Sequence, residues 1–308
     1  MTMGRRLRFV PQGCLVEVTA RTIQGRFLLK PGPKWTETFV GILARARELY
    51  PVKIHGFVCL SNHLHLLLSP RDAQQLASFM AHFLSNLSKE AARRHGWRGP
   101  LFERRYQAIA VTDEEAAQVR CLHYLLAHGV KENLVEAVED WPGPHCVKSL
   151  KTGEPVRGRW LSRARYWQAR NHGKSVKPGD FSLVYELSLD PLPCWAHLRA
   201  ETYKQRITEI VKAIDNDSNQ KRSGERRRTL GVRTILAQSP LDRPVPLERR
   251  PAPLVHASSH REKHAFCARY VEFVTAFYEA VKRLRKNLPE SRFPPGAFIP
   301  PRAFARPG

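Results

Sequence analysis

The segment "FVCLSNHLHLLLSP", residues 57–70, places two histidines in an otherwise apolar stretch. Successive side chains of a strand point to opposite faces, so His63 and His65 share one face while Leu64 and Leu66 share the other. Two neutral imidazoles held side by side can bind one divalent cation. The alternative interpretation is a pair of ordinary surface histidines on a half-exposed strand.

The pattern around this strand predicts an α+β fold. Alternating apolar residues predict strands, and apolar residues spaced by three and four predict helices. The predicted elements are a strand over 13–21, a helix over 35–50, strands over 52–60 and 63–68, a helix opened by Asp72 and Gln75, a strand over 104–111, and a helix over 113–128. Thr112 and Glu115 are expected to form a capping box for this last helix, which should stop at Gly129. The order βαββαβα predicts a ferredoxin-like domain, with helices packed on an antiparallel sheet.

The second half of the chain gives weaker signals. The expected elements are a strand within 181–189 and helices over 198–213 and 264–286, with a basic, Pro-rich linker plus a short helix between the two helices. We expect residues 1–150 to form the ferredoxin-like domain and residues 151–290 a basic, partly helical accessory region whose charge suits DNA binding. Residues 291–308 are expected to form a Pro-rich flexible tail.

Charge indicates the kind of partner. The 308 residues include 51 Lys and Arg against 28 Asp and Glu, a formal net charge of +23. Such an excess favours a polyanion, and nucleic acid is the favoured choice. The candidate DNA-binding residues are Lys89, Arg93, Arg94, Arg104, Arg105, Lys131, Arg226, Arg227 and Arg228. For each of them the alternative is an ordinary solvated charge.

Several classes of protein are disfavoured. The six cysteines show no CxxC pairing, so neither a zinc knuckle nor a disulfide framework is indicated. The sequence contains no run of about 18 apolar residues and no signal-peptide core. We expect a cytoplasmic, nucleoid-associated protein that does not enter a membrane.

The helix expected over 113–128 carries two further candidates. At 100° per residue, Tyr124 and His128 lie one turn apart, on a face that differs from that of Leu122 and Leu126. The alternatives are a tyrosine at the edge of the core and a histidine that interacts with the helix dipole. Glu17 and His55, on the first two strands, could also approach a metal held by the paired histidines.

Three separated blocks resemble a known family. They are "GFVCLSNHLHLLL" at 56–68, "GPLFERRYQAIAV" at 99–111 and "CLHYLLAHGVKENLV" at 121–135. In order and spacing they are similar to the single-tyrosine transposases of the REP-associated (RAYT) and insertion-sequence type, which belong to the HUH single-strand DNA nucleases. The resemblance covers roughly residues 8–150.

The resemblance implies a chemistry. His63 and His65 would hold Mg²⁺ or Mn²⁺, and Tyr124 would attack a phosphate of single-stranded or hairpin DNA to give a 5′-phosphotyrosine, as in DNA transposition and recombination. His128 would be the third ligand, at a position where relatives usually carry Gln or Asn. Relatives act as monomers or as homodimers.

Three alternatives remain beside this interpretation. The change at His128 suggests a domesticated DNA-binding relative that no longer cleaves. Phosphoryl chemistry of the histidine-triad type would need a third alternating histidine, where the sequence has Leu67. An RNA-binding ferredoxin-like module would carry an aromatic-rich pattern for base stacking on the sheet, which the strands over 52–60 and 63–68 lack.

Overall fold

A computed structural model describes residues 6–173, 175–225, 227–244, 252–286 and 292–299. It is a mixed α+β structure with a five-stranded, mainly antiparallel sheet. The first half of the chain forms β1 (Leu15–Arg21), α1 (Pro33–Leu49), β2 (Lys53–Cys59), β3 (His63–Ser69), α2 (Ala73–His95), β4 (Gln107–Val111) and α3 (Glu115–Leu126). The remainder forms α4 (His128–Lys131), α5 (Val147–Thr152), β5 (Val156–Leu161), α6 (Arg163–Asn171), β6 (Ser182–Leu187), α7 (Ala200–Glu225), α8 (Val232–Ala237), β7 (Val255–His256) and α9 (His260–Arg285).

The strand order β2-β3-β1-β4-β7 brings distant parts of the chain together. The central strand β1 pairs antiparallel with both β3 and β4, and β7 pairs parallel with β4. In the β1–β3 register, Thr19 lies opposite His65 and Arg21 lies opposite His63. Because paired residues share a face, these four side chains project from the same side of the sheet.

The two faces of the sheet are covered by different helices. Phe39 of α1 contacts Phe57 of β2, and it packs edge to face on Phe83 of α2 with ring centroids 5.4 Å apart. The helices α1 and α2 therefore cover the leucine face of β3. Gly56, adjacent to Phe57 and so on the opposite face, lies against Leu122 of α3. The histidine face is thus the one that α3 covers.

A second, two-stranded sheet made of β5 and β6 packs on the outer side of α1. The contact is made by backbone atoms of Gly41 and Gly158. A Cβ added to Gly41 would lie 2.3 Å from the carbonyl group of Arg159. Only glycine permits this approach, so the β5–β6 sheet is fixed on the face of α1 that points away from the five-stranded sheet.

The start and end of α3 differ from the sequence prediction. The expected capping box does not form, because the Thr112 hydroxyl donates to Glu114 while the Glu115 carboxylate accepts from Trp195 and Arg206. The helix also ends at Leu126 rather than at His128. His128 begins the separate turn α4, of which Gly129 is a part. Tertiary contacts of Glu115 with residues about 80 positions away override the local capping signal.

The second half of the chain is also more helical than expected. The helix α7 continues to Glu225, well past the predicted end at residue 213, so that it includes part of the segment interpreted as linker. Its buried residues are Ile207, Val211 and Ile214. Residues 292–299 of the expected tail lie against the N-terminal segment, where Val10 donates to the backbone oxygen of Gly296. Within the described ranges, no helix is both long and apolar enough to cross a bilayer.

Candidate active site

Three histidines converge on the face of the sheet that α3 covers. His63 and His65 project from β3, and His128 approaches from α4. Their ring centroids are 5.2 Å apart for His63 and His65, 5.2 Å for His63 and His128, and 4.2 Å for His65 and His128. One nitrogen from each ring lies within 4.8 Å of the other two, so the three imidazoles could hold one metal ion.

The hydrogen bonds of the three rings test whether a metal fits. The Nδ1–H of each ring donates a hydrogen bond to an oxygen atom. His63 donates to Oδ1 of Asn62 (2.7 Å), His65 donates to Oε1 of Glu17 (3.0 Å), and His128 donates to the backbone oxygen of Tyr124 (3.0 Å). In this tautomer each Nε2 carries a lone pair, and none of the three is hydrogen-bonded to a described residue. Metal-binding histidines are typically oriented in this way by an oxygen partner on the other nitrogen. The donor set therefore fits a metal ion.

Glu17 is a buried carboxylate between two histidines. Its Oε1 accepts from His65, and its Oε2 lies 2.6 Å from Nε2 of His256 on β7. Burial alone would raise the pKa of Glu17, but the contacts with His256 and His65 outweigh burial and lower this pKa well below its usual range. Glu17 therefore provides a permanent negative charge behind the histidine cluster.

Burial also keeps the ligand histidines neutral. It lowers the pKa of His128 to about 3, aided by the neighbouring His65. Burial is also the main cause that lowers the pKa of His63 well below its ordinary value. The charges that His65 and His128 would carry when protonated lower it further. Neutral imidazole is the form that binds metals, so near neutral pH His63 and His128 need not lose a proton to do so.

Tyr124 lies beside the histidines. Its ring centroid is 5.8 Å from that of His65 and 4.6 Å from that of His128, and the residue is 38% exposed. The Nζ atom of Lys131 lies 4.3 Å from the centre of the Tyr124 ring. The tyrosine and histidine side chains thus share one side of the sheet, with a cation against the tyrosine.

These side chains line a cavity of about 780 Å³ that opens to solvent. Its floor is the polar face of the strands, to which β1 contributes Glu17, Thr19 and Arg21. Arg120 of α3 and Gln107 of β4 extend the polar lining. Residues from the second half of the chain complete the wall, and they include Ile235, Gln238, Pro253 and His256.

Sequence reasoning predicted Glu17 near the metal but missed Thr19, Arg21 and His256. In "LVEVTAR" (15–21) the polar residues Glu17, Thr19 and Arg21 alternate with apolar ones. That period-two pattern is typical of a strand with one polar face, so it could have predicted Thr19 and Arg21 beside Glu17. His256 gave no comparable signal, because it lies in a two-residue strand whose partner β4 is more than 140 residues away.

The expected basic residues occupy different surroundings. Lys131 is at the site, and the exposed Arg104 and Arg105 lie in the loop that leads to Gln107 at the cavity. On α2, by contrast, Arg94 donates to the backbone oxygens of Lys30 and Pro31, which gives it a structural role. The other candidates that the structure describes do not line the cavity. Lys89 and Arg228 are exposed. Arg93 forms an ion pair with Glu90, and Arg227 forms one with Glu225. Arg226 lies outside the described residues.

His55 does not belong to the cluster. Its ring bonds to the backbone oxygens of Asp190 and Pro191 and to the Ser69 hydroxyl. Of the two additional candidates on the first strands, only Glu17 therefore reaches the histidines.

Comparison with known proteins gives a limited result. No protein-family model matches the sequence, and no curated protein matches it. Among the solved structures that resemble parts of the chain are two of transposases. A REP-associated tyrosine transposase bound to a REP hairpin matches with a TM-score of 0.38 and 17% identity, over 50% of this chain and 87% of that chain. A candidate transposase from Deinococcus radiodurans matches with a TM-score of 0.28 and 15% identity, over 40% of this chain and 95% of that chain.

Proposed function

We propose that the protein is a metal-dependent, single-strand-specific DNA endonuclease and strand transferase that acts through Tyr124. The supporting observation is the position of Tyr124, a half-exposed phenol beside three histidines with free Nε2 atoms in a solvent-open cavity. A nucleophile, a metal site and room for a phosphate are the parts that phosphoryl transfer to a side chain needs.

The reaction is a substitution at phosphorus. The Tyr124 oxygen forms a bond to the scissile phosphorus while the bond from phosphorus to the 3′ oxygen breaks. The phenol gives up its proton, and the departing 3′ oxygen gains one, so the products are a 5′-phosphotyrosine and a free 3′-hydroxyl. The bound metal would polarise the phosphate and neutralise charge in the in-line transition state. The phosphotyrosine retains the bond energy for transfer to a second strand.

Cations around the cavity suit this substrate. Arg21 and Arg120 line the cavity, and Lys131 lies against the nucleophile. Together with the exposed Arg104 and Arg105 they would hold the phosphates on either side of the scissile one. Hairpin-forming single-stranded DNA is the proposed partner, and the protein would act as a monomer or a homodimer.

The three imidazole ligands influence which metal ion the site prefers. Mg²⁺ prefers oxygen ligands, whereas imidazole suits transition metals. Three imidazoles from His63, His65 and His128 therefore favour Mn²⁺ over Mg²⁺ as the supporting ion.

The catalytic region proposed is residues 1–150, as a ferredoxin-like domain of the HUH type. The support is the order β2-β3-β1-β4 with α1 and α2 together on one face. The basic second half would be accessory, and it supplies His256 to the site.

The deciding experiment is covalent capture. Purified protein is incubated with a pool of labelled hairpin oligonucleotides and Mn²⁺, and adducts are resolved on denaturing gels. We expect an adduct that Tyr124→Phe abolishes and that the control Tyr278→Phe, at an exposed tyrosine of α9, retains. Binding without any adduct, with Mn²⁺ and with Mg²⁺, would instead identify a DNA-binding relative that no longer cleaves.

A further inference from the structure

The helix α6 has an unusual surface. Its nine residues, RARYWQARN, include no acidic side chain, and none of the nine is buried. Trp167 is 47% exposed. A surface helix normally buries an apolar stripe, and a tryptophan normally contributes to it. Packing within this protein therefore does not explain why α6 carries Trp167.

The position of α6 is nevertheless fixed. The helix follows β5, whose Gly158 touches the backbone of Gly41 in α1. Its first residue, Arg163, makes two contacts of 2.5 Å with the Glu90 carboxylate of α2. The helix is thus held at its first residue. Arg165, Trp167 and Arg170 are exposed, whereas the half-buried Tyr166 packs on Phe181.

The charge of this region is strongly positive. Residues 156–187 contain seven Lys and Arg against two Asp and Glu. Three of the arginines are in ion pairs, namely Arg157 with Glu186, Arg159 with Glu37 and Arg163 with Glu90. Arg165, Arg170 and Lys177 form no ion pair with any described residue. These three uncompensated cations favour an anionic partner.

The aromatic residues give the partner a second property. The Tyr166 ring lies 5.1 Å from the Trp167 ring, edge to face, and the Arg170 guanidinium lies 5.3 Å from the centre of the Trp167 ring. An exposed indole beside guanidinium groups can stack on an unpaired base while the cations contact the adjacent phosphates. A regular duplex keeps its base faces covered and could use only the cations.

We propose that α6, together with Lys177, is a second nucleic-acid-binding surface that takes single-stranded nucleic acid. It lies outside α1, whereas the candidate active site lies on the face of the sheet that α1 does not cover. An anionic membrane is the less suitable partner, because an interfacial helix needs an apolar stripe along its length and α6 offers one exposed tryptophan. This surface is additional to the proposed cleavage site and does not depend on its activity.

Photocrosslinking locates the surface directly. The full-length protein, in EDTA, is irradiated with an oligonucleotide of about 12 nucleotides that carries 5-iodouracil, then digested with trypsin and sequenced by mass spectrometry. We expect an adduct within Tyr166–Arg170. A single-stranded competitor should remove this adduct at lower concentration than a duplex of the same length. Equal competition by the duplex would overturn the assignment to single strands.

Affinity measurements with matched variants test the chemistry. Trp167→Ala should weaken binding of the same oligonucleotide about tenfold, and Trp167→Phe should retain most of the affinity. The double variant Arg165→Ala, Arg170→Ala should reduce the magnitude of the slope of log binding constant against log salt concentration by about 2. The control, Arg199→Ala with Lys212→Ala, removes two exposed charges from another surface and should leave the adduct within Tyr166–Arg170 unchanged.

Two further outcomes would overturn the proposal. One is the absence of any adduct within Tyr166–Arg170 together with unchanged affinity in Trp167→Ala. The other is binding of this surface to vesicles that contain anionic phospholipid, with no oligonucleotide bound there. Formation of the Tyr124 adduct on a hairpin substrate is measured in parallel, so that a failure of the proposed cleavage and a failure of this surface are told apart.

Discussion

The Oε1 atom of Glu17 accepts a hydrogen bond from Nδ1 of His65 at 3.0 Å. Both side chains are buried, and Oε2 of the same carboxylate contacts His256. One carboxylate thus links β1, β3 and the late strand β7 behind the proposed metal position. It fixes the orientation of the His65 ring and makes the free nitrogen of that ring more basic.

Glu17→Gln should therefore weaken metal binding while the protein stays folded. The amide preserves the shape of the side chain but removes its charge, and loss of such a partner typically costs 10- to 100-fold in affinity, so we expect the Kd for Mn²⁺ to rise about 30-fold. Titration calorimetry with Mn²⁺ measures this change.

Glu132→Gln is the matched control, because Glu132 lines the same cavity but is exposed. It should change the affinity for Mn²⁺ by less than about twofold. Equal Kd values for the wild type and Glu17→Gln would show that Glu17 does not act on the metal site.

The sequence was sufficient to predict that His63, His65, Tyr124 and His128 lie at this site. Period-two alternation in β3 assigns His63 and His65 to one face, and helical periodicity places Tyr124 and His128 together. These are local properties, decided by the geometry of a single element. Even so, the helix break at Ala127 was missed. The start of α3 was also mispredicted, because Glu115 contacts Trp195 and Arg206 instead of forming the expected capping box.

The remaining parts of the site depend on long-range pairing. His256 reaches Glu17 only because β7 pairs with β4, and two residues are too few for a periodic signal. The packing of the β5–β6 sheet on α1 through Gly41 and Gly158 is also not predicted by strand alternation or by helical periodicity. Such contacts become visible only when the chain is folded.

His128→Gln should shift the choice of metal. The substitution replaces an imidazole by an amide oxygen, and Mg²⁺ prefers oxygen. We expect the ratio of the Mn²⁺ affinity to the Mg²⁺ affinity to fall about tenfold, whereas His128→Ala should weaken binding of both ions. His123→Gln on α3 is the control, because His123 is not in the cluster. An unchanged ratio in His128→Gln would argue against His128 as a ligand.

Acid should destabilise the metal-free protein through His128. Its pKa is about 3 in the folded state against an ordinary 6.5, so the unfolded chain binds this proton more tightly. Stability is then unaffected above pH 6.5 and falls as the pH decreases toward 3. Between pH 6.5 and about pH 4.5 the loss from this group is about 2–3 kcal/mol.

Urea unfolding in EDTA at several pH values measures this loss. Other buried histidines titrate in the same range, so the relevant quantity is the difference between the wild type and His128→Gln. The wild type should lose more stability than the variant as the pH falls. Parallel curves for the two proteins would contradict the prediction.

Gly41→Ala should destabilise the fold by about 1–3 kcal/mol, because the new methyl group would overlap the carbonyl group of Arg159. The control is Gly224→Ala, since a Cβ at Gly224 of α7 meets no atom within 4 Å. Alanine is the better helix former, so this control should be neutral or stabilising by up to about 1 kcal/mol. Chemical unfolding of both variants measures the difference. An unchanged free energy of unfolding in Gly41→Ala would mean that the β5–β6 sheet does not pack on α1 as described.

Lys131→Met should slow formation of the covalent adduct without preventing it. The ammonium group lies against the Tyr124 ring, where it can stabilise the negative charge that develops on the phenol oxygen and on the phosphate during attack. Methionine keeps the length of the side chain and removes the charge, so we expect the single-turnover rate to fall about 10- to 100-fold. Lys148→Met, at an exposed lysine of α5, should leave the rate unchanged. Lys131 is not one of the proposed metal ligands, so the affinity for Mn²⁺ should also be unchanged. A parallel loss of metal binding would instead indicate that the substitution disrupts the structure of the site.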